Sequence, residues 1–158
     1  MYNTLWNPNT NNGGLRFMKT VLIQGAFEII NAGHVQALTE CREQGDRLVV
    51  ALNTNELLAS YKGREAVLPW EEKRIILAGL RSVDLVVPID TFSPLALLKK
   101  HRVKVYCVSE EWIDTKHEEL NWMESNGGCV FITTDFAVVR TRDIKARLLA
   151  EALDTNDL

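Results

Sequence analysis

Cysteine is scarce in this chain, with only Cys41, Cys107 and Cys129 among 158 residues. An odd count with no C-x-x-C pair excludes a disulfide framework and speaks against a zinc site. Each cysteine falls in an apolar stretch, so all three read as small core residues of a protein kept in a reducing compartment. No apolar run approaches the length of a membrane span. A basic segment followed by an apolar one is missing from the N-terminus, so no signal peptide is expected and the expected location is the cytoplasm. Basic residues are not in excess either: 18 Lys and Arg stand against 21 Asp and Glu, a net charge of −3, and they are scattered. Neither a nucleic acid nor a membrane is therefore an expected partner.

What is present is ordinary for one soluble domain: 46% apolar and 25% charged residues over a length that suits a single core. Residues 1–17 stand apart, with five Asn, two Gly and a Pro and no periodicity. They read as a disordered tail, with Trp6, Leu15 and Phe17 as the residues that could dock it. Residues 18–158 read as the domain proper.

From Met18 onward, strand and helix patterns alternate. Val21–Ile23, Leu48–Leu52, Leu85–Pro88, Val103–Val108 and Val130–Ile132 are short apolar runs that predict buried strands. Between them, helices are predicted over Gly33–Glu43, Glu56–Tyr61, Trp70–Arg81, Ser93–His101, His117–Met123 and Arg140–Leu153. Ile76, Leu77 and Leu80 fall on one face of the third of these helices, and Ile144, Leu148 and Leu149 form the expected buried face of the last. Continuously apolar strands separated by helices imply an α/β, Rossmann-like parallel sheet of about five strands, with helices on both faces. In such sheets ligands bind beyond the carboxyl ends of the strands. The loops after Gln24, Leu52 and Val108 are thereby expected near one site.

One segment carries chemistry on its face. The first strand runs into Gly25-Ala26-Phe27-Glu28-Ile29-Ile30-Asn31-Ala32-Gly33-His34: a glycine turn, then a second glycine beside a histidine where a helix opens. Glycine lets backbone approach a ligand closely. A helix start offers unpaired N–H groups and the positive end of the dipole, which suits phosphate. His34 can donate to a phosphate oxygen or carry charge near neutral pH. By contrast His101 and His117 lack partners at ligand spacing and read as surface residues, and Glu118-Glu119 reads as a solvated face. No protein metal site is expected.

This segment resembles the G-x-F-D-x-x-H-x-G-H fingerprint of the cytidylyltransferase-like superfamily. Gly45-Asp46 before the second strand, Lys62-Gly63, Val67 and Pro69, and Arg81-Ser82-Val83-Asp84 are similar to its later blocks. The nearest flavours are the heptose 1-phosphate adenylyltransferase domain and glycerol-3-phosphate cytidylyltransferase. The resemblance implies in-line transfer: a phosphate oxygen of a small sugar- or alditol-phosphate attacks the α-phosphorus of ATP or CTP, and pyrophosphate leaves. It also implies Mg2+ accompanying the triphosphate, and a homodimer. Carried over by position, His34, Asn31 and Lys62 are the implied catalytic residues. Gly25, Ala26, Phe27, Gly33, Lys73, Arg81, Arg140, Thr141 and Arg142 are the implied nucleotide contacts, although Lys73 and Arg81 equally read as helix surface charges.

Three positions depart from the family pattern. Asn31 stands for the first motif histidine; an amide can donate a hydrogen bond but cannot become cationic. Arg140-Thr141-Arg142 stands for a hydroxyl-rich S-[ST]-T segment, exchanging hydroxyls for charge. Cys107-Val108-Ser109-Glu110-Glu111 stands where the heptose enzymes have K-G-G-D-Y. Two functions thus remain open from sequence: an active nucleotidyltransferase, or a catalytically weakened or inactive nucleotide-binding or regulatory protein on the same fold.

Overall fold

The computed structural model describes residues 18–134 and 139–154; the Asn-rich segment 1–17, read above as a disordered tail, lies outside them. Five strands, β1 (Thr20–Gly25), β2 (Arg47–Asn53), β3 (Leu85–Ile89), β4 (Val105–Ser109) and β5 (Cys129–Thr133), form one sheet in the order β3-β2-β1-β4-β5. Every neighbouring pair is parallel. Six α-helices intervene: α1 (Ala32–Glu43), α2 (Asn55–Lys62), α3 (Trp70–Ala78), α4 (Leu95–Lys100), α5 (His117–Ser125) and α6 (Thr141–Asp154). A short 3-10 helix, Glu110–Thr115, follows β4.

The strands are apolar along their middles because both faces are covered. Side chains alternate across the pleat, so Val21 and Ile23 join one core while Leu22, between them, joins the other. The first core takes Leu38 and Cys41 from α1 and Leu77 from α3. The second takes Leu98 from α4 and Met123 from α5. Gly45 is demanded by this packing: a Cβ there would lie 2.5 Å from the Lys19 carbonyl oxygen, so the turn into β2 closes only on glycine.

β1 is the central strand, and the chain turns outward in opposite directions on its two sides, to β2 and to β4. A crevice opens at such a switch point, beyond the carboxyl ends. The fingerprint segment leaves β1 at this point.

Some expectations need correcting. α3 ends at Ala78 rather than Arg81 because Gly79 caps it, and Ile76 is exposed while Leu77 is buried. Leu148 and Leu149 of α6 are exposed, 57% and 63% respectively, so the apolar spacing there does not mark a buried face. Glu119 is 3% exposed, buried rather than on a solvated face, and His101 is half-buried. Cys41 and Cys107 are buried as expected, and Cys129 is half-buried.

Candidate functional site

The turn after β1 is shaped by its own aromatic residue. Phe27 adopts a left-handed φ of 43°, and its ring folds back over Gly25, where a Cβ would sit 2.7 Å from the ring edge. Gly25 is therefore required by the Phe27 ring. The same ring makes a tilted contact with the His34 imidazole, centroids 5.5 Å apart.

Asn31 is the N-cap of α1 in extended conformation, and with His34 it makes a reciprocal capping box. The Asn31 side-chain oxygen accepts from the His34 N–H at 3.4 Å. The Asn31 N–H donates to His34 Nδ1 at 3.2 Å. The Asn31 amide nitrogen donates to the Ile29 carbonyl at 3.4 Å. Both ends of this amide are thus engaged by backbone. With Nδ1 acting as acceptor, the neutral His34 ring carries its proton on Nε2. Burial pushes the His34 pKa below its ordinary value, so a neutral donor is the form at neutral pH. The first-turn N–H groups of Ala32 and Gly33 precede any intrahelical acceptor and remain available to an anion.

These groups open into a cleft of about 790 Å3. Gly25, Ala26, Phe27, Asn31, Gly33 and His34 line it, and so do Lys62, Arg140 and Thr141. Thr141 Oγ1 donates to the Ile29 carbonyl at 3.4 Å, tying the start of α6 to the turn. Nine of the twelve residues implied by the family pattern are brought together in this way. The other three are not. Lys73 is fully buried behind the turn, its Nζ 3.5 Å from the Ala26 carbonyl; it is not the surface charge its helix suggested, and burial lowers its pKa. Arg81 lies beside Arg42 and Gly45 in a separate shallow depression. Arg142 is 78% exposed and faces Asp143 at 3.8 Å.

Sequence reasoning missed the most connected side chain of the site. Glu28 is 3% exposed. Its Oε1 accepts from Arg64 Nη1 at 2.6 Å and from the Val67 N–H at 3.2 Å. Its Oε2 accepts from Arg64 Nη2 at 2.9 Å, Lys145 Nζ at 2.8 Å and Lys62 Nζ at 3.3 Å. The Arg64 guanidinium, with help from Lys145 and Lys62, holds the Glu28 carboxyl far below the usual carboxylate range against the opposing effect of burial. A clue existed in the sequence: a lone acidic residue between Phe27 and Ile29-Ile30 is a charge without local partners, and a buried charge needs partners from elsewhere.

The opposite wall differs in character. Glu110, Glu111 and Trp112 of the 3-10 helix line it, with Tyr106 and Ser109 from β4. Trp112 is 48% exposed and its indole N–H donates to Glu111 at 3.0 Å. On the cleft floor, Gln24 donates to Asn53 Oδ1 at 3.2 Å and to the Thr91 carbonyl at 3.0 Å. Its own buried Oε1 has no hydrogen-bond partner among the described residues. Asn53 in turn donates to the Tyr61 hydroxyl at 3.4 Å, and the Tyr61 and Phe92 rings meet at 5.4 Å. Among the described residues no group of three or more His, Cys, Asp or Glu could hold a metal ion, and no helix is long and apolar enough to cross a membrane.

Known proteins align with this architecture. The sequence model of the cytidylyltransferase-like family matches residues 22–152. Bifunctional protein HldE of Aliivibrio fischeri (strain MJ11) is 42% identical over 83 residues, 52% of this chain and 17% of that protein. Bifunctional protein HldE of Gluconobacter oxydans (strain 621H) is 33% identical over 115 residues, 72% of this chain and 24% of that protein. The chain thus spans less than a quarter of the length of these curated relatives. A lipopolysaccharide core biosynthesis protein from Thermoplasma volcanium GSS1 shares the fold with a TM-score of 0.63 at 18% identity, over 76% of this chain and 99% of its own. A protein of unknown function from Archaeoglobus fulgidus does so at 0.60 and 15% identity, over 77% and 93%.

Proposed function

Because the chain belongs to the cytidylyltransferase-like family, we propose that it transfers a nucleoside monophosphate from ATP or CTP to a small sugar- or alditol-phosphate, releasing pyrophosphate. One observation carries this reading: the start of α1, with His34 as a neutral donor, opens into the same cleft as the Lys62 ammonium. In the reaction, an acceptor phosphate oxygen attacks the α-phosphorus as the bond to the bridging oxygen of pyrophosphate breaks. Catalysis of such transfers rests on positioning and charge stabilisation rather than on a protein nucleophile. His34 Nε2 and the first-turn N–H groups of α1 donate to the phosphates; Lys62 and Arg140, which line the same cleft, supply positive charge. The 3-10 helix side, with its carboxylates, suits hydroxyl groups.

Mg2+ would arrive with the triphosphate and be held chiefly through its oxygens, which fits a cleft lacking a carboxylate cage among the described residues; it would supply positive charge to offset that of the phosphates. A homodimer is part of the same proposal, on family grounds alone. A second reading, a non-catalytic nucleotide-binding protein, is favoured by the engagement of both ends of the Asn31 amide with backbone.

The test is pyrophosphate release, with ATP and CTP each crossed against sugar, glycerol and choline-type phosphates in the presence of Mg2+. Release that requires one nucleotide and one acceptor, and is lost in His34→Ala, supports transfer. No release by the parent, with release appearing in Asn31→His, identifies the weakened binder. Absence of both release and nucleotide binding sinks both readings.

A further inference from the structure

Glu28 holds more cations than one carboxylate needs. Lys62 comes from the end of α2, Arg64 from the loop beyond it, and Lys145 from α6. With the Val67 N–H, these contacts tie two separate segments to the phosphate turn. The bonds are unequal. Arg64 grips both carboxylate oxygens, the bidentate geometry that makes such pairs strong, and Lys145 sits at 2.8 Å. Lys62 is the most distant of the three at 3.3 Å, and of the three cations it alone lines the cleft. Lys62 and Lys145 share one oxygen, Oε2.

We propose that Glu28 is a positioning residue that parks Lys62 beside the cleft, and that an entering polyphosphate takes Lys62 from it while Lys145 and Arg64 keep the carboxylate satisfied. The inference rests on the reading of the cleft as a polyphosphate site. Removing every cation from a buried carboxylate is costly, because the lone charge loses its solvation without compensation. Removing one of three is cheap when the remaining two already occupy both oxygens. Lys145 therefore acts on the ligand through Glu28: it is the cation that lets Lys62 leave. In the ligand-free protein the same contacts order the 62–67 loop, so Lys62 waits in one place. Glu28 and the polyphosphate are competing anions for a single ammonium.

The competition has a signature that a merely structural ion cluster lacks. Binding of magnesium pyrophosphate, measured by calorimetry on the full chain, is compared for the parent, Glu28→Gln, Lys145→Met and the double variant. Glu28→Gln removes the competitor and is expected to bind pyrophosphate at least threefold more tightly, while its pyrophosphate-release rate falls because Lys62 is no longer placed. Lys145→Met is expected to weaken binding at least threefold in the parent and by less than twofold in the Glu28→Gln background. Such non-additivity is how coupling between sites is recognised. Equal or weaker binding by Glu28→Gln, or the same loss from Lys145→Met in both backgrounds, overturns the inference and leaves the functional reading intact. A parent that does not bind pyrophosphate overturns both. If Glu28→Gln does not fold, Arg64→Met and Lys145→Met carry the test against Lys100→Met, at an exposed position of α4. Weakening by the first two alone supports the mechanism; equal effects in all three overturn it.

Discussion

The two walls of the cleft are built by the same sheet but carry opposite chemistry. Where the chain leaves β1 it meets a helix start, a neutral imidazole and three clustered cations. Where it leaves β4 it meets Glu110, Glu111 and an indole. Most polar side chains of the first wall are engaged by a cap or an ion pair. The second offers carboxylates on a short 3-10 helix. On the proposed function, charge separated in this way would orient a ligand that is anionic at one end and rich in hydroxyls at the other, because turning it around would set phosphate against carboxylate.

The comparison can be broken most sharply at His34. On the proposed function, His34→Ala is expected to lower turnover by roughly 100-fold or more, the usual scale for losing one transition-state donor, measured as steady-state pyrophosphate release. The imidazole also predicts the pH profile. Its folded pKa lies below the ordinary 6.5, so the unfolded chain takes up the proton first. The stability linked to this group is complete above pH 6.5 and is lost as acid protonates the folded ring. Turnover is expected to stay level through neutrality and to fall only on the acid side; a rise on acidification would contradict the neutral-donor assignment.

Two smaller perturbations sharpen the contrast. Asn31→Ala removes the cap of α1 and is expected to cost about 1 kcal/mol in urea unfolding, with a loss of nucleotide affinity because the N–H groups of the helix start lose their frame. Glu111→Gln on the opposite wall is expected to leave stability within about 0.5 kcal/mol and to change the acceptor KM rather than that of the nucleotide. An effect confined to the nucleotide KM would place the triphosphate on the wrong wall.

The layout was legible where one physical signal dominated. Apolar runs located all five strands, since burial on both faces leaves no other pattern. The glycine turn and the helix start were legible because a Gly directly after a buried strand, and a second Gly beside a histidine where helical spacing begins, mark a strand–turn–helix junction. Failures came where tertiary contacts override local pattern. Leu148 and Leu149 have helical spacing, yet spacing does not say whether a neighbour covers the face. Lys73 and Glu119 look like solvent charges along their helices, but their place against the sheet buries them. The Glu28 cluster joins residues 34, 36 and 117 positions away in the chain, a separation no local window spans. Asn31, read as an amide donor standing for the first motif histidine and as an implied catalytic residue, shares a capping box with the histidine that remains.

The central position of β1 also has a consequence in time. β1 can pair with β2 once the first crossover has been made, but its other edge waits for β4, which lies beyond α2, β3 and α4. During synthesis, which proceeds from the N-terminus, the wall containing the phosphate turn can therefore form early, and its facing wall only after the chain has passed Ser109. Parallel pairings of this range close slowly, since loop entropy must be met before the contacts reward it. α6 follows all five strands and brings Lys145 to Glu28, so the ion cluster at the phosphate turn is closed only after the sheet's last strand has been made.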